Sequence, residues 1–240
     1  QEGGGTSYTM SAQPFNSAFG VGGLNCVVLA AEALTGLEIP YAGTISFDGV
    51  AMMSTAVGGV DVCIDAPIDD PYTGLDLPTA GTHTVEGYTA LAFLRTRYGV
   101  GDGSDLSRIS SQQVYLSSLM RTLQGGGVLT DPAKLYGMAQ VATKAMSLSS
   151  SLASLDTMVS MALVLKDIPT ENITFVQYPA TTGVGGVYAG KAAPVEYLAE
   201  QLFDKIRADE SFLLEADATG NGAAPDPSAP APASTEATAP

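Results

Sequence analysis

Basic residues are scarce in this sequence and missing from its first 94 positions. Of 240 residues only 10 are Lys or Arg, against 25 Asp or Glu, a formal net charge of −15, and all ten lie at Arg95 or later. Binding to nucleic acid through counterion release needs clustered cations. Nucleic acid is therefore excluded as a general partner, and so is diffuse attachment to an anionic lipid surface. Histidine occurs once, as His83, in a polar stretch with no second ligand beside it, which argues against a metal or catalytic imidazole. Gly183 to Gly190 is glycine-rich but lacks the lysine pattern of a phosphate loop. Long apolar runs are also wanting. Leu148 to Leu165 comes nearest to the roughly 18 residues of a membrane span, and Ser residues and Asp156 interrupt it. Neither an initiator Met nor a signal peptide stands at Gln1, so the sequence reads as an ectodomain or a piece of a longer precursor.

Cysteine appears only at Cys26 and Cys63. In an exported chain two cysteines favour a bridge; otherwise they act as two buried, weakly polar thiols. The expectation taken to the structure is the bridge, with Cys26 on a helix facing Cys63 on a strand across the core.

What is present indicates an ordered protein. Hydrophobic residues make up 45% and charged residues 15%, and the length suits one domain of about 200 residues with a tail. Residues 1–13 read as a flexible lead-in, 14–216 as the folded domain, and 217–240, rich in Ala, Pro, Ser and Thr, as a disordered tail. Leu24, Val27, Val28, Ala31 and Leu34 recur at helical spacing and stop at Gly36. Short β-compatible runs cover 41–47 and 57–64, with Gly58-Gly59 as a turn feeding the second. Pro67 to Gly81 reads as a surface loop. Gly87 to Leu94 predicts a helix, Ile109 to Leu123 another, 131–165 two more, Ile173 to Tyr178 a strand, and Val195 to Ile206 a last amphipathic helix. Alternating strands and helices favour an α/β sandwich.

The informative segment is Arg95-Thr96-Arg97, a glycine-rich loop, then Asp105-Leu106-Ser107-Arg108-Ile109-Ser110-Ser111-Gln112. In a helix starting near Asp105, Arg108 and Gln112 are four apart and share a face. On extended backbone Arg95 and Arg97 also share a side. Guanidinium forks suit phosphate because they donate paired hydrogen bonds and keep their charge. Phosphoryl transfer asks a protein mainly to position groups and neutralise charge, so three arginines without a covalent nucleophile make a plausible set. Taken alone, the same arginines could instead pair with Asp102 and Asp105 on a solvated surface.

The segment resembles the signature of the LytR-CpsA-Psr (LCP) family, an Arg-x-Arg ahead of an Asp-x-x-Arg-x-x-x-Gln helix. Asn16-Ser17-Ala18-Phe19 with Gly22-Gly23, Glu32 to Leu37, Phe47-Asp48-Gly49, Val57 to Val62, and Gly74-Leu75 to Gly87 with Ala90-Leu91 resemble its other motifs in order. The resemblance implies a three-layer α/β/α sandwich with a central mixed sheet and a hydrophobic lipid tunnel. It implies an extracytoplasmic phosphotransferase, anchored in full length by an N-terminal membrane helix, that moves a glycopolymer from a polyprenyl-pyrophosphate carrier to peptidoglycan or a surface protein. Arg95, Arg97, Arg108 and Gln112 would contact the pyrophosphate, and Asp105 would orient an arginine or assist proton removal. Mg²⁺ is implied too, but the family places an Arg-Asp pair and acidic ligands ahead of Asn16, where this sequence has neither Arg nor Asp. The rival reading is a binding module that holds an anionic polyprenyl-phosphate lipid or glycan without turnover.

Overall fold

The computed structural model describes residues 13–98, 103 and 105–210, apart from the side chains of 105–107 and 171. The lead-in up to residue 12, most of the glycine loop, the domain's last residues 211–216 and the tail 217–240 lie outside the described residues. The fold divides into two units, one built from residues up to 42 with 178–212, the other centred on 43–177.

The first unit holds α1 (Ser17–Thr35) and the C-terminal helix Glu196–Arg207. The helical spacing of Leu24 to Leu34 produces α1, and Gly36 ends it at φ 66°, a left-handed C-cap that glycine adopts without strain. Arg207 donates from Nη1 to the Thr35 carbonyl at 2.8 Å, so a cation from the second helix satisfies the C-terminal end of the first. At 19 residues α1 is long and apolar enough to cross a membrane by length and composition, which corrects the expectation that no such run exists. It is not a continuous helix, because Gly22 and Gly23 leave helical geometry and kink it.

The second unit carries the main core. Its elements in order are β1 (Gly43–Ile45), α2 (Phe47–Ala56), β2 (Val60–Ile64), β3 (Ile68–Asp70), β4 (Leu75–Leu77), β5 (Gly81–Val85), α3 (Gly87–Arg95), α4 (Asp105–Gly125), α5 (Pro132–Ala145), β6 (Met146–Leu148) and α6 (Leu155–Lys166). Val60, Val62 and Ile64 alternate inward along β2 and join Ile68, Leu75, Leu77, Val85, Phe93 and Tyr115 in one buried cluster. Entry to β2 depends on two glycines, Gly58 and Gly59, both at φ 85°. A Cβ on Gly59 would also lie 2.7 Å from Thr84 Cγ2, so other residues are strained and crowded there.

The α/β class stands, and among the described residues the strands do not join in the single central mixed sheet expected. The described strands pair as two-stranded antiparallel ladders, β1 with β6, β2 with β5, β3 with β4, and a two-residue pair at Ala180–Thr181 and Ala193–Pro194. Turns at Gly58-Gly59 and between Asp70 and Leu75 keep these strands to five residues or fewer. Two local expectations also change. The proposed loop from Pro67 to Gly81 contains the β3–β4 hairpin, and Ile173 to Tyr178 forms no ladder. There the Phe175 carbonyl accepts from Gln113 Nε2 at 3.4 Å, a side-chain partner in place of a neighbouring strand.

Cys26 and Cys63 are free thiols in this structure. Cys26 belongs to α1 of the first unit and Cys63 to β2 of the second. Strand alternation gives the core face of β2 to Val62 and Ile64 and leaves Cys63 on the opposite face, beside Thr82 of β5. Iodoacetamide added to the urea-unfolded, unreduced chain should therefore label both cysteines, read as two carbamidomethyl additions by mass spectrometry. Recovery of unlabelled chain would show that the bridge forms.

Candidate functional site

β3 places a carboxylate where its pattern calls for an apolar side chain. Ile68 and Asp70 both face inward, and Asp70 is 1% exposed. An ionised carboxylate in such a place is costly unless donors surround it. Four do. Tyr72 and Thr73 donate backbone N–H groups to Oδ1 at 2.9 and 3.4 Å, an Asx turn that closes the β3–β4 hairpin. The Thr96 hydroxyl donates to Oδ2 at 2.6 Å and the Arg97 backbone N–H at 3.3 Å. Burial alone would raise the Asp70 pKa; the hydrogen bonds from Thr96, Tyr72, Arg97 and Thr73 outweigh it and hold the carboxyl below its ordinary 3.8.

The consequence falls on the arginine segment. α3 ends at Arg95 and its cap, Thr96, turns to extended backbone at ψ 141°. Thr96 is fully buried and points to Asp70, so its neighbours Arg95 and Arg97 are both exposed. Arg95 belongs to the helix, so the extended backbone expected of the whole Arg-x-Arg begins only at Thr96. The Arg95 guanidinium lies 4.5 Å above the Phe47 ring, a cation–π contact that limits where its fork can go. Phe47 opens α2, whose cap Ser46 accepts from the Gly49 N–H at 3.0 Å.

α4 brings the second half of the motif to the same corner. Asp105 opens the helix, and its side chain lies outside the described set. Arg108, on the first turn, is partly buried with its Nε enclosed. Gln112, four residues on, donates from Nε2 to the Leu94 carbonyl at 3.0 Å. That bond ties the Arg108 and Gln112 face of α4 to the backbone one residue before Arg95. Part of the Gln112 amide is thus engaged with protein, a positioning contact that spacing did not reveal.

Asp70 is the residue that sequence reasoning missed. Its signal was Asp70-Pro71-Tyr72-Thr73-Gly74, an Asx-turn composition, but its burial depends on Thr96 some 26 positions later. Among the described residues no three His, Cys, Asp or Glu side chains cluster. His83 sits on β5 with Nε2 2.6 Å from the Thr79 carbonyl oxygen, a local contact.

Asp70→Asn keeps the shape but removes the charge that four donors address, and should cost about 2 kcal/mol near pH 6, the scale of hydrogen bonds to a charged group. A folded pKa below 3.8 adds stability that is complete above 3.8 and disappears as pH falls through the folded value. The gap in urea midpoint between the parent and Asp70→Asn should therefore shrink below pH 4. A gap constant from pH 6 to pH 3 would contradict a buried ionised Asp70.

Comparison with known proteins matches residues 3–204 to the LytR_cpsA_psr family, a stretch that runs through both units. The cell wall biosynthesis protein LcpA of Corynebacterium glutamicum is 32% identical over 153 residues, 64% of this chain and 28% of LcpA. The chain thus spans less than a third of the length of that curated relative. The fold is similar to Bacillus subtilis TagV (TM-score 0.67, 19% identity, 86% of this chain and 78% of TagV). It is similar also to TagT solved bound to LI-WTA (TM-score 0.59, 17% identity, 82% of this chain and 71% of TagT). A family match over most of the chain, ordered as its motifs are, makes this protein a member of the LytR_cpsA_psr family.

Proposed function

We propose that this chain forms the phosphate-handling part of a cell-wall glycopolymer transferase acting outside the membrane on a polyprenyl-pyrophosphate-linked glycan. The observation that carries the reading is the joining of two arginine-bearing segments in one unit: Asp70 holds Arg95-Thr96-Arg97, and the Gln112 bond to Leu94 brings the Arg108 face to it. Family membership supports the class of reaction, and TagT supports the class of donor through its bound LI-WTA, a lipid-linked wall teichoic acid.

In the proposed step a hydroxyl oxygen of the acceptor, a peptidoglycan sugar or a surface protein, attacks the phosphorus that bears the glycan. A new P–O bond forms, the P–O–P bridge breaks, and polyprenyl phosphate leaves with the bridging oxygen. Arg95, Arg97 and Arg108 neutralise the charge that grows on the transferring and leaving phosphates, with stacked and partly buried guanidinium groups losing little freedom on binding. Gln112 positions α4 against α3, and Asp105 at the start of α4 is the proposed partner for an arginine or for the hydroxyl proton.

Arg108→Lys keeps a charge and loses the planar fork, so binding of a polyprenyl diphosphate should weaken by about 1 kcal/mol or more, roughly fivefold. Arg121 lies 13 positions further along α4, about 20 Å at ~1.5 Å per residue, and its Nη2 donates to Ser118 at 2.7 Å. Arg121→Lys should leave binding within twofold in the same titration. Equal weakening by both would reduce the effect to general electrostatics. Binding without transfer of glycan to acceptor would favour the binding-module reading.

A further inference from the structure

Beside the arginines stands an aromatic pair that core packing does not account for. Tyr72 and Tyr98 have ring centroids 4.6 Å apart at an interplanar angle of 36°, yet they remain 77% and 53% exposed. Each ring gives up contact with the core and keeps a face towards solvent.

Both are held by the hub that holds the arginines. The Tyr72 backbone N–H donates to Asp70 Oδ1, and the Tyr98 carbonyl oxygen lies 3.2 Å from Thr96 Oγ1, the hydroxyl that also serves Asp70 Oδ2. Tyr98 follows Arg97 directly, so its Cα is about 3.8 Å from that of a proposed phosphate-binding residue. The backbones of both tyrosines are therefore anchored to the hub that anchors the arginine segment.

An exposed tilted pair of rings offers electron-rich faces to weakly positive C–H groups, which suits the apolar face of a sugar ring. The charge of the surroundings narrows the class. The β3–β4 hairpin that carries Tyr72 also carries Asp69 and Asp76, exposed and directly opposite each other, in a chain of net charge −15. A uronic acid or phosphorylated sugar would be repelled there, while an uncharged ring would not.

We infer that Tyr72 and Tyr98 form a stacking platform for an uncharged sugar ring of the lipid-linked glycan, next to the diphosphate bound by Arg95, Arg97 and Arg108. This rests on the function proposed above and adds the chemistry of the sugar. Neither tyrosine hydroxyl is needed for stacking, so the platform works equally with phenylalanine.

The test compares two soluble probes in calorimetric titrations of the whole chain: a short prenyl diphosphate, and the same lipid diphosphate carrying one neutral hexose. Tyr72→Ala and Tyr98→Ala should each weaken the sugar-bearing probe about fivefold or more and leave the sugar-free probe within twofold. Tyr72→Phe should bind both like the parent. Retained affinity for the sugar-free probe shows that a variant is folded with its arginines in place. Equal loss for both probes, or no loss for either, overturns the platform and leaves the arginine site standing. Failure of the parent chain to bind either probe overturns the functional reading and the platform with it.

Discussion

Much of what is distinctive in this structure follows from one buried carboxylate. Asp70 occupies a core-facing strand position and is tolerated there because four donors from two distant stretches of chain converge on it. Removing an ion from water costs several kcal/mol unless its lone pairs are satisfied, so those stretches are not free to separate. One is the tip of the β3–β4 hairpin, and the other is the exit of α3. Linking them turns Thr96 inward and anchors the Arg97 backbone. A buried threonine between two exposed arginines is the visible result.

The rest of the corner is assembled with weaker contacts of known kind. Gln112 uses a side-chain amide to reach the Leu94 carbonyl, a group near the helix end that has lost its intrahelical partner. Phe47 offers a ring face to Arg95 from the start of another helix. Each contact adds on the order of 1 kcal/mol, but each also removes rotamers that a ligand would otherwise have to freeze. Preorganisation of this kind is what charge stabilisation in phosphoryl transfer requires.

The sequence revealed the parts of the fold governed by local rules. α1 shows its apolar spacing and its glycine stop, α4 shows the Asp105 to Gln112 pattern, and β2 shows alternation after paired glycines. What stayed hidden depended on partners far along the chain. Pro71 and Gly74 made the β3–β4 hairpin look like loop, since two three-residue strands carry too little pattern to register. Ile173 to Tyr178 had strand composition and found no strand to pair with. The arginines were legible as a motif, whereas the burial of Asp70, which anchors the backbone at Thr96 and Arg97, was not, because nothing local marks a buried ion. Parity of count likewise says nothing about which face of β2 Cys63 takes.

The central claim is that Arg95, Arg97 and Arg108 bind one diphosphate. A crystal structure of the chain with a short prenyl diphosphate tests it most directly. The account predicts both phosphates at that corner, with guanidinium nitrogens of all three residues about 2.7–3.1 Å from phosphate oxygens. A diphosphate bound elsewhere, or held at that corner while Arg108 points away from it, would contradict the account.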